Sequence, residues 1–280
     1  MSPTLTIRVM TESDVAFGMA LKSAAGWNQV ESDWVRFLRC EPEGCFVAEW
    51  EGEAAGTATA LTYGDRFGWV GMVLVREDFR RRGIGRALLQ RAIAHVEARC
   101  ATVKLDATAE GKRLYDTMGF GDEYPVERRY GLARRREDTG VRQLAGGGGE
   151  WAAEGLDTQA FGADRSVWVR ALMRDGRAFA LPARRSEGYA VLHPGTKAWH
   201  LGPVVAADPD LAERLIAAAL NGIEGEPVFL DVVTANPSAV AVAEACGLAR
   251  QREWVRMARG PNDHPGRPAL VYGTSGPETG

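Results

Sequence analysis

The sequence has 280 residues, of which 45% are apolar and 25% charged, and its net charge is −3. These values are typical of a globular protein with one large or two ordinary domains, and they argue against a nucleic-acid-binding or membrane-surface protein. The four cysteines form no CxxC pair, and no run approaches the roughly 20 apolar residues of a membrane span. Because the opening MSPTLTIRVM lacks the apolar stretch of a signal peptide, we expect a cytoplasmic protein with reduced thiols.

The first half alternates strand-like and helix-like segments. LTIRVM is typical of a strand, and the potential caps at residues 11–14 predict a helix that runs toward residue 25. ESDWVRFLR places Trp34 and Phe37 on one helical face, with Ser32 as the expected cap. Two strands joined by a Glu-Gly turn are predicted in CFVAEWEGEAAGTATALTYG.

The next segment, FGWVGMVLV, is nearly all apolar, as is typical of a central strand covered on both faces. The basic REDFRRRGIGR follows, then a strand in TVKLDAT, a short helix in EGKRLYDTMGF and a last strand in EYPVERRYGLA. Residues 134–150 are predicted to be partly linker, because they begin charged and end in four glycines, although VRQL is compatible with a short strand. We therefore predict two domains, at residues 1–135 and 136–280.

The second half repeats the first in weaker form. WHLGPVVAADPDLAERLIAAAL parallels the apolar strand and basic loop, and VFLDVVTANPSAVAVAEACGL parallels VKLDATAEGKRLYDTMGF. Any α/β chain repeats strand–helix units, but two matches in the same order favour a duplicated unit. The second loop, at residues 207–214, lacks the arginine–glycine pattern, and Ala243 stands where the first half has Tyr115.

The RRRGIGR stretch has the composition of a phosphate-binding loop. Gly83 and Gly85 let the backbone turn tightly and let a ligand approach it closely. The first turn of the following helix offers unpaired N–H groups to an anion. The neighbouring side chains that add positive charge are Arg80, Arg81, Arg82 and Arg86. Neither a dinucleotide GxGxxG nor a Walker loop is present, so another phosphate-bearing ligand is indicated.

The pattern Arg80-x-x-Gly83-x-Gly85 after a buried strand, with LYDTMGF further along, resembles the GNAT acyltransferase superfamily across residues 5–133. The resemblance implies an α/β fold with two tandem GNAT-like domains, each a mixed, mostly antiparallel sheet flanked by helices. It implies that the second domain is degenerate and shapes the acceptor site. It also implies acetyl-CoA, or another acyl-CoA, as co-substrate, and no metal.

The resemblance further implies roles for particular residues. The strand backbone would pair with the pantetheine arm and the loop would hold the pyrophosphate; the cofactor-binding set is Val73, Leu74, Val75, Arg80, Arg81, Arg82, Gly83, Ile84, Gly85 and Arg86. Tyr115 falls where many members place the tyrosine that protonates the leaving thiolate. The alternative for Tyr115 is a packed aromatic whose hydroxyl finds a partner.

The general base and the acceptor site are less sharply indicated. The resemblance implies a catalytic carboxylate on the strand just before the LY helix, where this chain has Asp106. The spacing to the next helix differs between the halves, however, and a strand-end Asp bonded to a backbone amide is an equal alternative. Trp27, Asn28 and Gln29 lie on a loop that commonly lines the acceptor site, and the alternative is that Trp27 caps the core. The four histidines show no metal-ligand spacing.

The function expected from these features is N-acyl transfer: an acetyl or other short acyl group passes from acyl-CoA directly to a primary amine of a small molecule in a ternary complex. One alternative is a non-catalytic module that senses acyl-CoA or another small ligand, and another is a protein N-acetyltransferase. No nucleic-acid or membrane partner is expected, and the sequence leaves a homodimer open.

Overall fold

The computed structural model describes residues 4–137, 139–145 and 151–280. The four glycines predicted to belong to a linker, residues 146–149, lie outside the described residues. The neighbouring VRQL stretch does contain a short strand, at Arg142–Gln143. Within the described ranges, no helix is both long enough and apolar enough to cross a membrane.

The first half forms its elements in the predicted order. Its strands are β1 (Leu5–Val9), β2 (Cys45–Trp50), β3 (Glu53–Tyr63), β4 (Phe67–Val75), β5 (Val103–Ala107) and β6 (Gly121–Leu132). Its helices are α1 (Val15–Ala24), α2 (Glu31–Cys40), α3 (Ile84–Glu97) and α4 (Ala109–Asp116).

The second half follows the same plan. Its strands are β7 (Arg142–Gln143), β8 (Arg177–Ala180), β9 (Gly188–His193), β10 (Trp199–Ala206), β11 (Pro227–Val233), β12 (Ala249–Arg259) and β13 (Val271–Gly273). Its helices are α5 (Glu154–Phe161), α6 (Ser166–Asp175), α7 (Pro209–Asn221) and α8 (Pro237–Ala245).

The start of α2 differs from the prediction. The residue before the helix is Val30, and its N–H donates to Asp33 Oδ2 at 2.8 Å. Ser32 therefore lies inside the first turn, and the cap comes from the carboxylate that reaches back from the third helical position.

All thirteen strands found in the described residues belong to one continuous sheet, in the order β1-β2-β3-β4-β5-β12-β6-β11-β10-β9-β8-β7, with β13 beside β10. Among the strand pairs of the described residues, only β4–β5 and β10–β11 are parallel. Strands β1 to β6 occupy, in turn, positions equivalent to those of β7 to β12. The mixed, mostly antiparallel α/β fold with a repeated unit is thus confirmed, and the two sheets are continuous with each other.

The last strand of each half pairs within the other half. β12 lies between β5 and β6, and β6 lies between β12 and β11. Two buried ion pairs hold this exchange: Asp106 on β5 is opposite Arg256 on β12, and Asp231 on β11 is opposite Arg128 on β6. Both pairs are bidentate, with N···O distances of 2.9 and 3.0 Å in the first and 2.7 Å twice in the second. The repeated Leu-Asp of the sequence therefore marks the anchor points of the exchanged strands.

The apolar core is divided by the sheet and shared between the halves. One cluster lies under α3 and another under α7, and a third contains residues of both halves. In the shared cluster Phe37 of α2 packs on Trp168 of α6, with ring centroids 5.1 Å apart. Because this cluster needs side chains from both halves, neither half completes its core alone.

Candidate active site

The candidate site lies where two parallel strands separate. β4 and β5 pair only at Gly68 with Val103 and at Trp69 with Lys104. Beyond Trp69, β4 continues to pair with β3 on one side, while β5 pairs with β12. The edge of β4 that faces β5 is therefore open from residue 70 onward, and its backbone groups need another partner.

A cavity of ≈ 1070 Å³ occupies this opening. Its lining brings together predicted residues from the end of β4, the basic loop, the loop before α2, strand β5 and helix α4. The predicted residues that line it are Trp27, Asn28, Gln29, Val73, Leu74, Val75, Arg80, Arg81, Ile84, Gly85, Asp106 and Tyr115. Arg82, Gly83 and Arg86 do not line it.

A bulge interrupts β4 along the cavity. Met72 has a φ of +51°, and the pairing with β3 shifts between Thr57 and Thr59. The Thr57 hydroxyl donates to the Met72 carbonyl oxygen at 3.0 Å, which holds the bulge in place. Bulges of this kind re-aim backbone groups at functional sites.

The basic loop enters α3 through a left-handed glycine. Gly83 precedes the helix with a φ of +81° and offers no side-chain cap, so the first N–H groups of α3 have no side-chain acceptor from this position. A Cβ at Gly85 would meet nothing closer than Val75 Cγ2, at 3.6 Å, so no packing in the protein requires glycine there. The open space beside Gly85 instead fits the close approach of a ligand.

The arginines of the loop divide into two groups. Arg80 and Arg81 line the cavity, and Arg80 Nε donates to the Val75 carbonyl oxygen at 3.3 Å. Arg82 instead donates to the Asp78 carbonyl oxygen at 3.1 Å, and Arg86 donates to Thr117 Oγ1 at 2.8 Å. The second group fixes the shape of the loop and adds positive charge near it.

Tyr115 lies on α4 and lines the same cavity. Burial raises the pKa of its hydroxyl to about 12, so the group is protonated at neutral pH and is able to donate a proton. Its ring packs over Gly111, where a Cβ would come within 2.9 Å of the ring and 3.2 Å of the hydroxyl oxygen. Gly111 therefore sets the position of the tyrosine.

Asp106 also lines the cavity, but Arg256 binds both oxygens of its carboxylate. Burial raises the pKa of Asp106, and the Arg256 guanidinium opposes that shift. Protonation of a carboxylate held in this way would break a buried ion pair. Its role as the base stays a prediction; its observed contact is with an arginine of the second half.

The loop before α2 joins the two halves at the cavity wall. Asn28 Oδ1 accepts from the Lys197 and Ala198 N–H groups at 2.9 and 3.2 Å, and its Nδ2 donates to the Ala198 carbonyl oxygen at 3.0 Å. These bonds use the polar atoms of Asn28 to fix the loop. Gln29 is buried with its Oε1 unpartnered, and Trp27 packs against the shared core. Direct contact of the three residues with an acceptor stays a prediction.

The sequence patterns missed several residues that also line the cavity. These are Arg128 on β6, Arg252 and Trp254 on β12, and Pro277 and Glu278. They reach the cavity through the strand exchange and through the segment after β13. The repeated Leu-Asp could have indicated the exchanged strands, but nothing in GTSGPETG separates Glu278 from an ordinary loop residue.

The equivalent opening in the second half is filled. β10 and β11 pair only at Trp199 with Val228 and at His200 with Phe229, as in the first half. Beyond that point β13 pairs with β10, and the Thr274 N–H donates to the Asp231 carbonyl oxygen at 2.8 Å. The chain's own strand thus occupies the place that remains open beside β4.

The helix after β10 also differs at its start. Asp208 caps α7, and its Oδ1 accepts from the Leu211 N–H at 2.9 Å. This carboxylate accepts from an N–H group that would otherwise be available to an anion, and its negative charge repels phosphate. Among the described residues, no group of three or more His, Cys, Asp or Glu side chains is placed to hold a metal ion.

Comparison with known proteins agrees with this geometry. The model of the acetyltransferase (GNAT) family matches residues 15–120, and that of an acetyltransferase (GNAT) domain matches residues 153–273. The uncharacterized N-acetyltransferase YitH of Bacillus subtilis is 27% identical over 180 residues, which cover 60% of this chain and 61% of the relative. The chain therefore matches about three-fifths of that relative's length.

Solved structures match the whole chain. A Pyrococcus horikoshii protein assigned as an acetyltransferase has a TM-score of 0.87 and 25% identity, and the match covers 99% of this chain and 96% of that one. A tandem GNAT protein from the clavulanic acid biosynthesis pathway has a TM-score of 0.62 and 20% identity, covering 93% of this chain and 100% of that one, which shows a shared fold. With a GNAT model matching each half and a tandem GNAT architecture along the full chain, this protein belongs to the GNAT acetyltransferase superfamily as a tandem member.

Proposed function

We propose that the protein transfers an acetyl or other short acyl group from acyl-CoA to the primary amine of a small molecule. The observation that carries the proposal is the single cavity that joins the open edge of β4, the start of α3 and Tyr115. This arrangement offers an extended ligand a backbone edge, an anion site and a proton donor in one continuous space.

The residues present fit acetyl-CoA. The N–H groups at the start of α3 and the charges of Arg80 and Arg81 would hold the pyrophosphate, because helix starts and guanidinium groups favour phosphate. The open edge of residues 73–75 would hold the pantetheine arm as an added strand. Bound there, the thioester supplies an activated acyl group.

Tyr115 would complete the reaction by protonating the departing thiolate. Its pKa of about 12 keeps the proton on the hydroxyl until a strong base forms beside it. Among the described residues that line the cavity there is no serine, cysteine or histidine to serve as a covalent nucleophile, which supports direct transfer within a ternary complex.

A small acceptor fits the closure of the cavity by the second half. Arg252 and Trp254 of β12, with Pro277, line the cavity, so residues of the second half form part of its wall. Arg252 stacks on Trp254, with its Cζ 5.1 Å from the ring centroid. Asp231 and Glu278 lie within electrostatic reach of it, but within the described ranges no carboxylate forms an ion pair with it. A free guanidinium at this position supports an acceptor amine that also carries a negatively charged group.

Calorimetric titration with acetyl-CoA tests the cofactor site. We expect micromolar binding by the unaltered protein and its loss in Gly85→Asp, which places a carboxylate in the anion site. Gly155→Asp is the matched control, because a Cβ there meets nothing within 4 Å and the residue lies on α5, far from the loop in sequence. Absence of binding by the folded, unaltered protein would contradict the proposal.

A panel of amines with acetyl-CoA, read by release of free thiol, tests turnover and acceptor class. Small amines that carry a carboxylate should react faster than their neutral amides, and Arg252→Ala should reduce that preference. Binding of acetyl-CoA without turnover of any amine would favour the sensing alternative, and turnover of peptide N-termini alone would favour a protein acceptor.

A further inference from the structure

The segment after β13, residues 274–280, runs from the second half into the wall of the first-half cavity; we call it the wedge segment. Three side chains fix its backbone. Tyr63 Oη donates to the Thr279 carbonyl oxygen at 2.8 Å, and Trp69 Nε1 donates to the Pro277 carbonyl oxygen at 3.1 Å. Arg165 donates to the Gly280 main-chain oxygen at 2.8 Å. The wedge segment is therefore a defined part of the cavity wall.

Glu278 of the wedge segment packs directly against β4. A Cβ at Gly71 would lie 2.6 Å from the Glu278 carbonyl oxygen and 2.9 Å from its Cα, so glycine is needed there for the close approach. Gly71 immediately precedes the bulge at Met72. The acidic residue thus lies beside the part of β4 that is farthest along the cavity from the phosphate loop.

Among the described residues, one oxygen of the Glu278 carboxylate has no hydrogen-bond partner. Its Oε2 is buried without a hydrogen-bond partner in the described part of the chain, although the residue lines the cavity. The side chain folds over Gly276, where a Cβ would lie 2.9 Å from Oε1. A carboxylate that lines a ligand cavity and keeps one buried oxygen without a hydrogen-bond partner is the arrangement expected of a group that exchanges protons with a ligand.

The surroundings tune this carboxylate to neutral pH. Burial, then the negative charge of Asp33, raises the pKa of Glu278 to about 7, while Gln29 and Arg128 oppose the rise. Arg252 also lies within electrostatic reach of Glu278. A base with a pKa near the working pH is the most effective proton acceptor.

The direction of the ligand places Glu278 at the reacting end. With the pyrophosphate at the start of α3, an arm that runs back along residues 75 to 73 brings its far end to Met72 and Gly71. We propose that Glu278 is the general base of the reaction and removes a proton from the acceptor ammonium. This proposal rests on the proposed function and names its base.

The proton transfers balance. The Glu278 carboxylate accepts one proton from the acceptor ammonium, which leaves a neutral amine. The amine nitrogen forms a bond to the acyl carbon as the carbon–sulfur bond breaks, and the sulfur leaves with that electron pair. Tyr115 gives its proton to the thiolate and regains one from solvent. The second proton of the nitrogen and the proton held by Glu278 go to solvent, so one proton is released per turnover.

The test compares Glu278→Gln with Glu224→Gln, a matched control on an exposed turn of the second half. Carbon NMR of protein labelled at the glutamate side-chain carboxyl gives the titration of Glu278 from the resonance that the Gln variant lacks. We expect a midpoint near neutral pH. A Glu278 carboxyl that titrates at the ordinary glutamate pKa would overturn the proposal, whether or not any amine is a substrate.

The kinetic arm uses the best amine of the panel and the pH profile of kcat/KM. Glu278→Gln should lower kcat by about 10²-fold or more, with unchanged acetyl-CoA affinity, and should remove the rise in rate through neutral pH. Glu224→Gln should match the unaltered protein. A retained pH profile in Glu278→Gln would overturn the proposal, whereas the proposed function fails separately if the unaltered protein binds acetyl-CoA but acetylates nothing.

Discussion

The two parallel strand openings of this protein have the same construction and opposite contents. Beside β4 the strand edge is open and a large cavity adjoins the bare glycine start of α3. Beside β10 the strand β13 completes the pairing, and Asp208 caps α7. Each interaction that a ligand would make in the first half is thus made by the chain itself in the second. A duplicated unit keeps its fold after losing its ligand when its own groups replace the ligand's hydrogen bonds.

The largest expected effect comes from breaking the ion pairs that both openings share. Asp106→Asn and Asp231→Asn each leave a buried arginine without its counter-charge, so each should lower the free energy of unfolding by about 3–5 kcal/mol. Denaturant unfolding measures both. Equal losses would identify Asp106 as a strand anchor; a small loss in Asp106→Asn, together with abolished turnover, would identify it as the base and contradict our assignment of Glu278.

Tyr115 has no counterpart in the filled half, where Ala243 stands. Its removal should therefore lower the rate of turnover and leave the binding of acetyl-CoA unchanged. Tyr115→Phe should lower kcat by about 10²–10⁴-fold, because the thiolate loses its proton donor. Calorimetry should show unchanged acetyl-CoA affinity. Gly111→Ala, which pushes against the tyrosine ring, should reproduce part of the loss without removing the hydroxyl. Loss of acetyl-CoA binding in Tyr115→Phe would show instead that the ring is structural.

Ionisation of Glu278 should lower the free energy of unfolding, an effect that the filled opening of the second half should not have. A folded-state pKa of about 7, against an ordinary 4.5, means that the folded protein binds more protons between these values, so stability falls as pH rises through that window. Glu278→Gln should therefore be more stable than the unaltered protein by up to about 3 kcal/mol near pH 8. The gain should vanish below about pH 4, where both states are protonated. Thermal unfolding over this range measures it, and a pH-independent difference would exclude the titration.

The smallest expected effect tests whether the start of α7 can bind an anion once its capping carboxylate is removed. Asp208→Ala removes a side-chain cap and should lower stability by about 1 kcal/mol. Calorimetry should still give one acetyl-CoA per chain, because β13 continues to occupy the strand edge. A second binding event would mean that the capping carboxylate, rather than β13, excludes the ligand.

Much of the first half could be predicted from the sequence because its signals are local. The apolar run of β4, the paired glycines and the position of Tyr115 each depend on a few neighbouring residues. The exchange of β6 and β12 is different, since alternating apolar residues indicate a strand but not its neighbour. Ser32 was the wrong cap because the competing carboxylate of Asp33 is one position further on.

Glu278 could not be predicted for a further reason. Its importance arises from a contact with Gly71, and only the folded chain brings these two residues together. GTSGPETG has the composition of a loop, and its function depends on the side chains of Tyr63, Trp69 and Arg165 that hold it.

The exchange of the last strands makes this single chain the covalent equivalent of a domain-swapped dimer. In a dimer of separate subunits, dilution would pull the exchanged strands apart and dismantle the cavity wall with them. Covalent linkage raises the effective concentration of the partner and makes the assembly independent of protein concentration. It also frees the two copies from symmetry, so one can keep an open cavity while the other supplies its wall.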